Sequence, residues 1–165
     1  MTAPHQQPEV IKVMIVDDHV IVREGLKKLL KLNPQIDVVA TADSGLECLE
    51  WLEKAKRKPD ILFVDIKMPG ISGIETTRLI CEKYPRIKVI VLTVYPDEDY
   101  VAEAIRVGAK GYVLKGVESH ELYGIIECIM DGEAFLDSKL TASVFKNIQQ
   151  KRDHGWNRPA LTQRE

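Results

Sequence analysis

The chain is poor in cysteine and has almost no excess of charge. Cys48, Cys81 and Cys128 lie far apart, and no Cys-x-x-Cys pair occurs. This spacing argues against a disulfide framework or a zinc site and favours a reducing compartment. The 23 basic and 25 acidic residues give a net charge of −2, which excludes a strongly basic nucleic-acid-binding domain over these residues.

Long apolar runs are also absent. No stretch approaches the ~18 apolar residues that a membrane span needs. Residues 1–9 are polar, contain Pro4 and Pro8, and do not resemble a signal peptide. We therefore expect a soluble, cytoplasmic protein whose residues 1–9 form a disordered tail. Hydrophobic residues make up 45 % of the 165, which is enough for one domain with a sizeable core.

Strand-like and helix-like segments alternate through residues 10–137. The predicted strands are 12–16, 36–42, 61–64, 87–92 and 111–114, and the predicted helices are 20–32, 44–58, 74–84, 97–107 and 118–130. Such alternation indicates β-α-β units, and strands that are apolar throughout are covered on both faces. With right-handed crossovers, we predict an α/β fold. It is a doubly wound, flavodoxin-like parallel sheet of five strands in the order 2-1-3-4-5, with five flanking helices.

The pattern changes after Met130. A short C-terminal helix is predicted around 140–148, followed by polar residues 149–159 that are typical of a linker. Residues 161–165 resemble the start of another unit. The predicted organisation is therefore a tail over 1–9, the α/β domain over 10–137, a helix and interdomain linker over 138–160, and the start of a further domain at 161–165.

Acidic residues follow two of the predicted strands directly. Val16 is followed by Asp17 and Asp18, and Val64 is followed by Asp65. In the predicted order the winding direction reverses between strands 1 and 3, and ligands bind at the carboxyl ends of strands at such a reversal. We therefore expect the three carboxylates to form one site.

Three carboxylates at one edge stay ionised together only when a cation offsets their repulsion. Oxygen ligands of this kind suit Mg²⁺. A carboxylate beside Mg²⁺ can accept a phosphoryl group, and Asp65 is the best nucleophile candidate. Strand 4 ends at Thr93 and strand 5 at Lys115, and a hydroxyl and an ammonium can bind the oxygens of an aspartyl phosphate.

Each of these residues has a simpler interpretation when it is taken alone. Asp18 could cap the helix at Val20, Thr93 could be a capping hydroxyl, and Lys115 could be a solvated loop charge. The joint pattern at four strand ends favours the site over these separate roles.

The sequence resembles the response-regulator receiver domains of two-component signalling. The matching stretches are Val16-Asp17-Asp18, Val64-Asp65-Ile66-Lys67-Met68-Pro69-Gly70, Val91-Leu92-Thr93 and Gly111-Tyr112-Val113-Leu114-Lys115. The resemblance covers about residues 10–137. It implies that Asp65 takes a phosphoryl group from a sensor histidine kinase.

The same resemblance implies the remaining roles. Mg²⁺ would be bound by Asp18, Asp65 and the backbone carbonyl of Lys67, with Asp17 acting through water. The phosphoryl group would contact Thr93 and Lys115, and Tyr112 would be the switch aromatic that turns inward when the threonine moves.

A subfamily is also indicated. Residues 132–137, Gly-Glu-Ala-Phe-Leu-Asp, are similar to NarL/FixJ-type regulators, and residues 161–165 resemble the opening of a LuxR-type helix-turn-helix domain. We expect part of a longer transcription factor that forms a homodimer on phosphorylation and binds DNA only through a C-terminal domain absent from this chain. No enzymatic activity is expected beyond gaining and losing its own phosphate.

The sequence departs from the commonest pattern of the family at two positions. Val94 follows Thr93 where a small residue is frequent, and Gly116 replaces a proline after Lys115. Lys67 and Tyr95 occupy positions that vary in the family and tune dephosphorylation.

We favour simple interpretations of three further features and leave a fourth open. We expect His19 to begin the first helix, and the basic residues of Lys54–Lys58 to form a solvated helix end. Cys128 is interpreted as a buried or interface thiol. Trp156 falls in the linker, where it either docks on the domain or is exposed.

Two other functions compete with the signalling switch. A phosphohydrolase with an aspartyl nucleophile usually has an acid two residues after the nucleophile, where this chain has Lys67. A dimerisation module with a relic acidic site is disfavoured because all the key groups are present.

Overall fold

A computed structural model describes residues 9–94 and 97–154. The predictions for the tail up to residue 8, for Tyr95, for Trp156 and for the new unit at 161–165 fall outside these ranges.

Strands and helices alternate along the described residues. The strands are β1 (Ile11–Val16), β2 (Ile36–Ala42), β3 (Ile61–Asp65), β4 (Lys88–Thr93), β5 (Gly111–Leu114) and β6 (Phe135–Leu136). The helices are α1 (Val20–Lys31), α2 (Gly45–Lys54), α3 (Gly73–Lys83), α4 (Glu98–Arg106), α5 (Ser119–Met130) and α6 (Ser138–His154).

The strands form one parallel sheet in the order β2-β1-β3-β4-β5-β6. The predicted order of the first five strands is confirmed, and β6 is an addition. It consists of two residues, Phe135 and Leu136, which pair with Gly111 and Tyr112 of β5. A two-residue strand has too little periodicity to be recognised from sequence, so the prediction of five strands falls one short.

Apolar side chains pack on both faces of the sheet, as the unbroken apolar strands predicted. Alternate residues of β1 show the division, because successive side chains of a strand point to opposite faces. Val13 and Ile15 pack with residues of α1 and α5. Met14 and Val16 pack with residues of α2 and α3 on the other face. A third cluster lies beneath α4 and α6 and includes Tyr112.

Local capping features mark the ends of two helices. The Ser44 hydroxyl accepts a hydrogen bond from the backbone N–H of Glu47 at 3.1 Å and so caps α2. Gly108, beyond the end of α4, has a φ of 107°, a backbone conformation that residues with a Cβ atom avoid.

The C-terminal helix is longer than predicted. α6 has 17 residues, from Ser138 to His154, whereas the apolar spacing indicated a helix only around 140–148. The additional residues after 148, which are 149–154, are polar and carry no apolar stripe. Among the described residues, no helix is both long enough and apolar enough to cross a membrane.

Candidate functional site

The two predicted acidic strand ends are neighbours in the sheet. Val16 of β1 lies beside Val64 of β3, so that Asp17 and Asp65 emerge next to each other at the carboxyl edge. Both residues are buried, with 4 % of Asp17 and 6 % of Asp65 exposed. Buried carboxylates need a partner, so the arrangement requires a positive charge nearby.

Lys115 provides that charge. Its Nζ lies 2.6 Å from Oδ2 of Asp17 and 3.3 Å from Oδ1 of Asp65. The ammonium therefore bridges the two strand-end acids. The lysine side chain is itself largely buried, which contradicts the interpretation of Lys115 as a solvated loop charge. A buried cation between two acids is placed to bind a further anionic oxygen.

His19 lies closer to the site than the sequence suggested. It precedes α1, as expected of a residue that begins the helix, and its backbone N–H donates to Oδ1 of Asp17 at 2.9 Å. Its Nδ1 lies 3.1 Å from Oδ1 of Asp17, 3.1 Å from Oδ1 of Asp18 and 3.9 Å from Oδ2 of Asp65. The interpretation of Asp18 as the side-chain cap of α1 does not hold, because His19 occupies the capping position and no side chain caps this helix.

Two residues that the sequence reasoning missed hold the acids in place. Arg23 of α1 donates from a guanidinium nitrogen to the backbone carbonyl of Asp17 at 2.6 Å. Gly73 begins α3 and donates its N–H to the carbonyl of Ile66 at 2.8 Å. A Cβ at Gly73 would lie 1.9 Å from the carbonyl oxygen of Asp65. Neither role leaves a periodic pattern in the sequence, because each depends on how a helix approaches the edge of the sheet.

The side chains at the edge are compatible with a divalent metal ion. Ligand atoms of Asp17, Asp18, His19 and Asp65 all lie within 4.8 Å of one another. Oδ1 of Asp18 is buried and lies 3.1 Å from Nδ1 of His19. No hydrogen bond to this oxygen occurs among the described residues. A buried carboxylate oxygen without a donor is suited to a hard cation such as Mg²⁺.

Thr93 and Tyr112 lie behind the acids, toward α4. The Thr93 side chain is fully buried, and its backbone carbonyl accepts from the N–H of Lys115 at 2.7 Å. The Tyr112 ring is buried and therefore points inward. Burial raises the pKa of Tyr112, and the nearby Thr93 hydroxyl opposes this effect. The contact between the two side chains does not have the geometry of a good hydrogen bond.

Lys67 and Val94 flank the opening of the site. The Lys67 ammonium lies 5.9 Å from the centre of the Tyr100 ring, at a cavity of about 440 Å³ that Asp18 and Glu103 also line. Val94 is exposed, so its side chain projects to solvent.

Gly116 adopts a conformation that a proline cannot. Its φ is 99°, whereas the proline ring fixes φ near −65°. The loop after β5 thus turns differently from the proline-containing loop of the commonest pattern, and it still delivers Lys115 to Asp17 and Asp65.

Burial raises the pKa of Asp65 above its usual value. The nearby charge of Asp17 acts in the same direction, while the Lys115 ammonium and the backbone N–H of Ile66 oppose it. The folded protein therefore holds this proton more tightly than the unfolded chain does. Stability falls as the pH rises from the usual carboxyl value through the raised one, and the ionised carboxylate is destabilising at neutral pH.

We expect Asp65→Asn to raise the melting temperature at pH 7 in the presence of a chelator. The rise is a few degrees, since about 1 kcal/mol corresponds to ~2–4 °C for a chain of this size. The gain should shrink as the pH falls through the raised pKa of Asp65, because the wild-type carboxyl then becomes protonated and uncharged. Calorimetry across pH 4–7 measures both effects, and a lower melting temperature of the variant at pH 7 would contradict the electrostatic argument.

Comparison with known proteins agrees with this geometry. The family model of the response regulator receiver domain matches residues 13–127. The transcriptional regulatory protein DegU of Brevibacillus brevis is 36 % identical over 140 residues, which are 85 % of this chain and 58 % of DegU. The oxygen regulatory protein NreC of Staphylococcus haemolyticus is 38 % identical over 161 residues, 94 % of this chain and 73 % of NreC.

A solved structure is similar throughout the fold. The two-component response regulator of the LuxR family from Aurantimonas sp. SI85-9A1 superposes with a TM-score of 0.78 at 31 % identity, over 85 % of this chain and 99 % of that one. The chain belongs to the response regulator receiver domain family, and the predicted resemblance to NarL/FixJ-type regulators is confirmed. The chain spans little more than half the length of DegU.

Proposed function

We propose that Asp65 accepts a phosphoryl group from a phosphohistidine of a sensor histidine kinase. The supporting observation is the Lys115 ammonium between Asp17 and Asp65, at an edge where a third carboxylate and a threonine also lie. In the transfer, an Asp65 carboxylate oxygen attacks phosphorus, the bond from phosphorus to the histidine nitrogen breaks, and its electron pair stays on that nitrogen.

Each residue of the site has a distinct part in this step. Asp18, Asp65 and the Lys67 carbonyl would hold Mg²⁺, with Asp17 acting through water. The metal supplies charge compensation for the oxygens of the transferring group. The Lys115 ammonium, already held between two acids, binds one phosphoryl oxygen, and the Thr93 hydroxyl donates to another.

The consequence of phosphorylation is a shift between two conformations rather than turnover of an external substrate. When Thr93 moves toward the phosphoryl group, it favours the inward position of Tyr112. In the whole protein the shift would control homodimerisation and, through a C-terminal helix-turn-helix domain, DNA binding and transcription in the cytoplasm. The chain itself catalyses only the gain and loss of its own phosphate.

We expect a small phosphodonor such as acetyl phosphate to add one phosphoryl group in the presence of Mg²⁺. Intact-mass spectrometry measures the addition, and an excess of chelator should abolish it. Turnover of an aryl phosphate well above background would instead support a phosphohydrolase. Failure of both the phosphodonor and beryllofluoride to modify or bind the chain would favour a relic site.

A further inference from the structure

The C-terminal helix α6 shares an apolar cluster with the predicted switch residue Tyr112. Leu140 of α6 is 1 % exposed and lies in one apolar cluster with Tyr112 and with Val101 and Ala104 of α4. Val144, one turn further along α6, packs against the same cluster. The helix therefore contributes apolar side chains to the buried cluster that contains the Tyr112 ring.

A backbone connection joins Tyr112 to the start of the same helix. The carbonyl of Tyr112 accepts a hydrogen bond from the N–H of Asp137 at 3.1 Å, next to the β5–β6 pairing. Asp137 in turn begins α6. Its side chain accepts from the N–H of Lys139 at 3.0 Å, and its carbonyl accepts from the N–H of Leu140 at 2.9 Å. A movement of β5 at Tyr112 is thus transmitted to the first turn of α6.

Packing makes the position of the ring and the docking of the helix interdependent. If Tyr112 turned outward, it would leave a void in the cluster that it shares with Leu140, and such voids in a packed core are destabilising. If α6 undocked, the cluster around the ring would lose the packing of Leu140 and Val144. The inward position of the Tyr112 ring and the docked position of α6 therefore favour each other, and this thermodynamic coupling is reciprocal.

We propose that α6 is a phosphorylation-controlled element whose docking on α4 and β5 is stabilised by the inward position of Tyr112. The inference rests on the proposed function of Asp65 and extends it to the regulation of that site. Phosphorylation, acting through Thr93 and Tyr112, tightens α6 on the domain. Conversely, docked α6 stabilises the phosphorylated form.

The test uses hydrogen exchange of the 165-residue chain with Mg²⁺ and beryllofluoride as a phosphoryl mimic. ¹⁹F NMR of the bound beryllofluoride measures its affinity separately. In the wild type we expect saturating beryllofluoride to slow exchange of the α6 amides by about fivefold or more, the lower end of common coupling factors.

Variants on one helix separate docking from general effects on the chain. Leu140→Ala should speed α6 exchange, although residue 140 lies outside the acidic site. It should also weaken beryllofluoride binding, by at most the factor by which beryllofluoride slows α6 exchange in the wild type. Val144→Ala, which removes less packing, should show a smaller effect of the same kind and serves if Leu140→Ala does not fold. Phe145→Ala is the matched control, because this side chain is 62 % exposed, and both measurements should stay at wild-type values.

The outcomes distinguish the two proposals. Beryllofluoride that binds without changing α6 exchange overturns the coupling and leaves the phosphoacceptor proposal standing. Wild-type beryllofluoride affinity in folded Leu140→Ala and Val144→Ala also overturns the coupling. Absence of beryllofluoride binding to the wild type overturns both.

Discussion

Replacement of Asp65 by asparagine is expected to abolish phosphorylation by small phosphodonors. The amide keeps the size of the side chain but lacks the anionic oxygen that attacks phosphorus, and it removes one of the two acids that hold Lys115. Intact-mass spectrometry in saturating Mg²⁺ and acetyl phosphate should show one added phosphoryl group on the wild type and none on Asp65→Asn.

The matched control for this loss is Asp37→Asn. Asp37 is an exposed acid in β2, with no contact to the acidic cluster, and its variant should be modified to the wild-type extent. Modification of Asp65→Asn itself would show that another residue accepts the phosphoryl group, which would remove the basis of the proposed mechanism.

The acidic cluster could be predicted because parallel topology alone brings strand ends together. Once the order 2-1-3-4-5 is inferred, Asp17, Asp65 and Lys115 must emerge at one edge, whatever the details of the loops. The burial of Tyr112 could be predicted in the same way, because this residue lies within an apolar strand that helices cover on both faces.

The contacts of His19 and Arg23 with the cluster could not be predicted in this way. They depend on the angle at which α1 leaves β1 and on the side-chain rotamers, and neither produces a sequence period. The full length of α6 was missed for a related reason, because residues 149–154 are polar and propagate a helix that Leu140 and Val144 anchor. Sequence patterns thus predicted which groups meet, while the contacts that position those groups required the structure.

Gly73→Ala is expected to be the most destabilising small substitution near the site. The new Cβ would lie 1.9 Å from the carbonyl oxygen of Asp65 and 2.7 Å from its carbonyl carbon. These are backbone atoms that cannot rotate away, so α3 or the end of β3 must shift. Overpacking of a core costs about 1–3 kcal/mol and at times more, and we expect a loss near the upper end.

A loss of about 3 kcal/mol corresponds to a melting temperature lower by roughly 6–12 °C for a chain of this size. Gly25→Ala is the control, because nothing lies within 4 Å of a Cβ at this position in α1 and alanine favours a helix interior over glycine by about 1 kcal/mol. The two variants should therefore change the melting temperature in opposite directions. Because the clash at residue 73 moves the backbone that carries Asp65, Gly73→Ala should also weaken beryllofluoride binding at temperatures where it is still folded. Wild-type affinity in that variant would show that the acid site tolerates movement of α3.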